Sequence, residues 1–500
     1  MQYKSTRDSS ISISSAEAIK KGLSQEGGLF VPEMLPEISL DEISELKEKN
    51  YRQRAKVILS RFLTDFTDEE LEGCINSAYT REKFGSDNIA PIYKLKDGEY
   101  ILELWHGPTC AFKDMALQIL PHLLTTSMKK TGEKDEVVIL VATSGDTGKA
   151  ALEGFRDVSG TRIVVFYPNN GVSEIQKLQM ITQEGDNVGV AAVCGNFDDA
   201  QSGVKRIFTD EGYKEVLLHN NFKLSSANSI NWGRLVPQIV YYFSAYADLL
   251  SGGEISLGDK INIVVPTGNF GNILAAYYAY KMGLPVNKFI CASNKNNVLT
   301  DFINTGVYNK NRDFHTTISP SMDILISSNL ERFLYDLSGQ DDKTLALWMK
   351  ELNEKGSYEV TEDVKAKIKA IFAGGCADDE ETMAAIKKCS EEHGYVMDTH
   401  TAVAKSVYDS YKAQTGDQTK TVIASTASPF KFNQSVLIAL SGHGAVAGKD
   451  EFSLLSELSE VSGMDIPKSL AELQNKPKLF NLVCEKEQML QVVSDFLQIG

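Results

Sequence analysis

Three kinds of residue pattern in this chain could do chemistry together. The first is Trp105-His106-Gly107-Pro108-Thr109-Cys110-Ala111-Phe112-Lys113-Asp114, in which one lysine stands among small and apolar residues. Such surroundings disfavour an ammonium ion, and only the neutral amine attacks a carbonyl carbon to form a Schiff base. Gly107 and Pro108 mark a turn after the strand-like Tyr100–Leu104, which puts Lys113 near the mouth of a sheet. The second pattern is a pair of turns, Ser144-Gly145-Asp146-Thr147-Gly148 and Thr267-Gly268-Asn269-Phe270-Gly271-Asn272, each between an apolar run and a helix start. A helix start preceded by glycines offers unpaired N–H groups and the positive end of a dipole, so it can hold a phosphate or carboxylate without a basic side chain. The third is Ser425-Thr426, at the end of the apolar run Thr421–Ala424.

Each pattern alone has a plain structural reading: a solvated lysine at a helix start, or an ordinary connection in a parallel sheet. Taken together they suit a cofactor with an aldehyde, a phosphate and a pyridine nitrogen, the three handles of pyridoxal phosphate. The turns match neither the dinucleotide-binding fingerprint nor the phosphate-binding P-loop, so a nucleotide site is not supported.

The elements that must position these residues are those of a large α/β protein. At 500 residues the chain exceeds what one core serves, so two or more domains are expected. Its 51 basic and 67 acidic residues give a net charge of −16, which argues against nucleic acid as a partner while leaving room for a local anion pocket. The seven cysteines are scattered and form no CxxC pair, so neither a zinc site nor a disulfide framework is indicated, and a reducing cytoplasm fits best. No run approaches the ~18 apolar residues of a membrane span. A soluble, cytoplasmic chain is therefore expected.

Residues 1–85 read as a small, largely helical cap, including an amphipathic stretch from Leu40 to Leu63. Beyond Ile89 strand and helix patterns alternate. Glu136–Thr143, Thr161–Pro168, Val188–Val193, Lys260–Pro266 and Thr421–Thr426 read as strands, with helices after the glycine turns and over Leu235–Leu250. This is the signature of parallel sheets with crossover helices. The segment from about Thr300 to His393 reads as inserted peripheral helices. The expected division is 1–85, 86–255 with Lys113 and the Ser144 turn, 256–440 with the Gly268 turn, and a helical tail over 441–500.

The lysine motif, Ser144–Gly148, Gly268–Asn272, and Ser425-Thr426-Ala427 with Pro429 and Lys431-Phe432 resemble, in this order, the motifs of threonine synthases of the longer bacterial and fungal type. Gly27-Gly28-Leu29-Phe30-Val31-Pro32 resembles that family's N-terminal domain, so the likeness covers nearly the whole chain. The resemblance implies a fold type II pyridoxal enzyme, with two open parallel-sheet α/β domains, a small N-terminal helical domain and peripheral helices. It also implies conversion of O-phospho-L-homoserine and water to L-threonine and phosphate by a monomer or homodimer, without nucleic acid or membrane partners. Carried over by residue, Lys113 would be the Schiff-base lysine, and Gly268, Asn269, Phe270, Gly271 and Asn272 would cradle the cofactor phosphate. Thr426 would face the pyridine nitrogen as a neutral partner, making the ring a weaker electron sink than a carboxylate would. Ser144, Gly145, Asp146 and Thr147 would hold substrate, and Asn228, Asn231 and Arg234 its phosphate. Asp146 departs from the asparagine of many relatives, which leaves the partner of the cofactor's 3′ oxygen open. His106 reads equally as an acid or base and as a packed ring fixing the turn. The alternative within the same fold is another pyridoxal lyase, such as a serine or threonine dehydratase.

Overall fold

The computed structural model describes residues 1–170 and 172–499. Gly171 and Gly500, inside the expected 86–255 and 441–500 segments, lie outside the described residues. The strands are β1 (Tyr3–Ser5), β2 (Phe30–Pro32), β3 (Ile92–Lys96), β4 (Glu99–Glu103), β5 (Glu136–Ala142), β6 (Thr161–Pro168), β7 (Val188–Val193), β8 (Phe222–Ser225), β9 (Ile261–Pro266), β10 (Val286–Ser293), β11 (Val307–Asn309), β12 (Ser357–Glu359), β13 (Phe372–Cys376), β14 (Thr421–Ser425) and β15 (Val483–Cys484). Two sheets carry the architecture. One has the order β13-β10-β9-β14-β4-β3, and the other β15-β7-β6-β5-β8. All pairings in them are parallel except β3 with β4. The continuous apolar runs of β5 and β9 are buried almost throughout, as expected of strands covered by helices on both faces.

Sheet membership does not follow the expected division. β3 and β4 lie in the 86–255 segment, yet β4 pairs with β14, so the stretch leading to Lys113 belongs to the larger sheet. β15 likewise brings the expected surface tail onto the edge of the smaller sheet. Parallel pairing joins strands remote in sequence, so an apolar run announces a strand without naming its neighbour.

The N-terminal residues share a core with the main body. The Leu40–Leu63 stretch is broken at Leu46–Glu48, after which Asn50 caps the helix Tyr51–Phe62 through a capping box. From that helix Arg54 reaches Leu46 O (2.8 Å) and Asp248 Oδ1 (2.6 Å) on the long helix Trp232–Ser251. The buried Trp232 ring lies 5.3 Å from Tyr3 and 5.6 Å from Phe62. Removing that side chain would cost about 3–5 kcal/mol.

The Thr300–His393 segment is also more than peripheral. It supplies β13 to the larger sheet and a short helical turn, Pro320–Met322, that folds inward against the residues described next.

Candidate active site

The C-terminal ends of β4, β5, β9 and β14 converge, which is where open α/β sheets place ligands. The turn after β4 is fixed by Asp114, whose carboxylate accepts the Thr109 N–H and hydroxyl, both at 2.8 Å. A Cβ on Gly107 would stand 2.4 Å from the Asp114 Cβ, so only glycine fits there. Phe112 N–H donates to Thr426 O at 2.8 Å, tying this turn to the end of β14.

Lys113 then points into the interior, 7% exposed. Its Nζ lies 3.1 Å from Asp146 Oδ2, 3.2 Å from Ser321 Oγ and 4.6 Å from the Phe112 ring centre. Burial lowers the affinity of the amine for a proton, and Asp146 offsets only part of this. The Asp146 carboxylate, 2% exposed, is also held by Lys431 Nζ at 2.7 Å and Gln176 Nε2 at 3.0 Å. Burial works against its charge, but Lys431 and Lys113 outweigh it and hold the carboxyl well below the ordinary carboxylate range. One carboxylate thus serves two lysines.

The turn after β5 is braced by Thr143, whose hydroxyl accepts the N–H of Gly145 (3.0 Å) and of Gly148 (2.9 Å). Gly145 has φ +128, and a Cβ there would meet the Gln176 side chain at 2.4 Å. Ser144 and Thr147 are partly exposed, and Thr147 Oγ1 lies 3.4 Å from Arg234 Nη2. Arg234 is 5% exposed, donates to Ala227 O at 2.8 Å, and is lowered by burial to about 10. Asn228, half-buried, sits close before it in the chain. Asn231 does not share this outlook. Its oxygen caps the helix by accepting Gly233 N–H at 2.9 Å, and its nitrogen donates to Ile19 O and Ser226 O, both at 3.0 Å. That leaves the amide occupied by the fold rather than free for a ligand.

In the turn after β9, Phe270 takes φ +62 and the helix Gly271–Lys281 begins at once. A Cβ on Gly268 would lie 2.6 Å from Ser321 O, because the Pro320–Met322 turn packs against it. Ser327 Oγ donates to Gly268 O at 2.8 Å, and Asn329 N–H donates to Asn269 O at 3.1 Å. Asn269 is exposed. Asn272 is 6% exposed; its oxygen accepts the hydroxyls of Tyr241 (2.6 Å) and Tyr242 (2.5 Å), while its Nδ2 has no partner among the described residues. Thr426, 4% exposed, donates its N–H to Thr401 Oγ1 at 3.3 Å. His106 Nε2 lies 2.8 Å from Glu103 Oε2 and its ring stacks on Trp105 at 4.2 Å, a packed position that still leaves it partly exposed.

Sequence reasoning did not single out Gln176 or Ser321, and it noted Lys431 only within a motif. The turn residues of Ser319-Pro320-Ser321 announce a loop, but nothing local says where that loop folds. No group of His, Cys, Asp and Glu among the described residues could hold a metal ion.

A family model described as "Pyridoxal-phosphate dependent enzyme" matches residues 87–362, and models for the threonine synthase N terminus and C-terminal region match 2–79 and 401–495. The chain is 42% identical over 435 residues to "Threonine synthase-like 1" of Homo sapiens. That match covers 85% of this chain and 58% of the relative, so the chain spans less than two thirds of that protein's length. It is 38% identical over 437 residues to the threonine synthase of Pseudomonas aeruginosa, covering 87% of this chain and 90% of the relative. The crystal structure of pyridoxal-phosphate-bound threonine synthase from Brucella melitensis superposes with a TM-score of 0.87 at 33% identity, covering 100% of this chain and 99% of that one.

Proposed function

Since the chain belongs to the threonine synthase family of pyridoxal-phosphate enzymes, with their fold type II architecture, we propose that it converts O-phospho-L-homoserine and water into L-threonine and phosphate. The observation that carries this reading is Lys113: a buried amine against Asp146 and Ser321, with the Ser321 backbone packed on Gly268 just before a helix start and the Arg234 charge acting on the same amine.

The residues fit the cofactor. At the start of the helix Gly271–Lys281 the unpartnered, buried Nδ2 of Asn272 adds a side-chain donor to the backbone N–H groups, as an anion site requires. Gly268 lets a neighbouring segment approach where a Cβ would block it. Bound there, pyridoxal phosphate supplies an aldehyde for Lys113 and a ring that takes up electrons from the substrate carbon. Gly268, Asn269, Phe270, Gly271 and Asn272 would hold its phosphate, and the Thr426 hydroxyl would face the ring nitrogen as a neutral partner.

Lys113, whose hold on a proton is weakened by burial, would move protons at Cα, Cβ and Cγ of the substrate. Asp146, kept ionised by Lys431, would accept hydrogen bonds without itself taking up the proton. Arg234, Thr147 and the Ser144–Asp146 turn, with Asn228, would bind the substrate phosphate that leaves from Cγ, and water would add at Cβ. A guanidinium matches a phosphate through two parallel hydrogen bonds. Asn231 would act on this pocket only by fixing the helix that carries Arg234.

Function as a monomer or a homodimer belongs to the same proposal. No helix among the described residues is long and apolar enough to cross a membrane. A cytoplasmic location belongs to the same proposal, supported by the seven cysteines being free thiols. The test is phosphate release from O-phospho-L-homoserine coupled to detection of threonine. Release of phosphate with a keto acid in place of threonine would sink the reading in favour of a lyase.

A further inference from the structure

Ser321 touches the reactive amine, yet it comes from a segment far from Lys113 in the chain. Its hydroxyl is 3.2 Å from Lys113 Nζ and 3.4 Å from Asp146 Oδ2, bridging amine and carboxylate. Its backbone N–H donates to His400 Nε2 at 3.1 Å. A backbone N–H is only a donor, so Nε2 must be the bare nitrogen; the proton then sits on Nδ1, which donates to Asp398 Oδ1 at 3.0 Å. Asp398 and His400 are 0% and 2% exposed, at the start of the helix Thr399–Thr415. The Phe432 ring packs against the imidazole at 4.8 Å. The far side of the segment is braced by Asn294 Nδ2, which donates to Ser319 Oγ at 3.0 Å and to Asp323 Oδ1 at 2.7 Å.

We propose that Asp398 and His400 are positioning residues that hold Ser321 so that its hydroxyl bridges Lys113 and Asp146 and sets how tightly the amine keeps its proton. The inference rests on the reading of Lys113 as the cofactor-binding lysine. The carboxylate fixes the tautomer, the tautomer fixes the Ser321 backbone, and the backbone aims the hydroxyl. The charged groups facing Lys113 are Asp146, Lys431 and Arg234, and those facing His400 are Asp398 and Asp323. Ser321 is the neutral group among them, an acceptor for the ammonium form that disappears with the hydroxyl.

The test reads the amine itself. Full-length protein freed of cofactor is treated with pyridoxal and borohydride across neutral to alkaline pH, and the midpoint for labelling Lys113 is found by peptide mapping. Ser321→Ala removes an acceptor of the ammonium ion, so the midpoint falls by about one pH unit, the equivalent of one hydrogen bond to a charged group. His400→Leu shifts it in the same sense, and the double variant goes no further than either single. His400→Gln, whose amide oxygen can accept the Ser321 N–H, stays near the wild-type midpoint. With cofactor bound, Ser321→Ala and His400→Leu lower kcat about tenfold with KM unchanged. If His400→Leu does not fold, Asp398→Asn takes its place, since it removes the carboxylate that fixes the tautomer. An unmoved midpoint in Ser321→Ala overturns the proposal, as do additive shifts in the double variant. Continued labelling at the same site in Lys113→Ala would instead overturn the assignment of Lys113.

Discussion

Lys431→Met removes one of the two cations on the Asp146 carboxylate and leaves the other in place. Lys431 Nζ and Lys113 Nζ lie 2.7 Å and 3.1 Å from its two oxygens. Two amines on one carboxylate are within about 8 Å of each other, and at an effective dielectric near 20 that spacing corresponds to about 2 kcal/mol of repulsion. Each pH unit is about 1.4 kcal/mol, and this repulsion is one of the causes that lower the affinity of Lys113 for its proton. Loss of Lys431 also leaves Asp146 with Lys113 as its single cation among the partners described. Both effects favour the ammonium form. The expected outcome is that the pH at which Lys113 is labelled by pyridoxal and borohydride rises by about one to 1.5 units. Methionine approximates the length of the lysine stem, and a melting curve checks that the fold persists. A midpoint that stays put, or moves down, would refute the reasoning, because it would mean that Lys431 is screened from Lys113 despite their shared partner.

Two further substitutions separate binding from scaffolding on one helix. Arg234→Lys should raise KM for O-phospho-L-homoserine about tenfold or more, ~1.4 kcal/mol if KM tracks dissociation, with cofactor affinity unchanged; an unchanged KM would remove Arg234 from the phosphate pocket. Asn231→Ala should lower the stability of the protein by about 1–3 kcal/mol, since it removes a cap and leaves Ile19 O and Ser226 O without their donor, while KM stays near wild type. A large rise in KM at unchanged melting temperature would place Asn231 on the substrate after all.

What the sequence could and could not show follows from the range of the forces involved. β5 and β9 are legible because a strand buried on both faces must be largely apolar. The turns after them are legible because tight approaches demand glycine, as at Gly145 and Gly268. The partner of β4 was not legible, since its apolar run would suit either sheet. Ser321 meets Lys113 across 208 residues of sequence, and no local pattern encodes such a contact. Asn231 shows the opposite difficulty. An asparagine before a helix serves equally as a cap and as a ligand donor, and only the positions of Ile19 O and Ser226 O decide which.

The shared carboxylate has a mechanical meaning as well as an electrostatic one. Asp146 rides on the smaller sheet, at the end of β5, whereas Lys113 and Lys431 follow β4 and β14 of the larger sheet. The two lobes are therefore clasped at the very atoms that carry the proton. Parting them by much more than the length of a hydrogen bond would strand a buried carboxylate, at a cost of several kcal/mol. Bonding Lys113 to another group changes the charge on one half of the clasp and so changes its grip. The contact that joins the two sheets at this point is thus also one that sets the charge balance around Lys113.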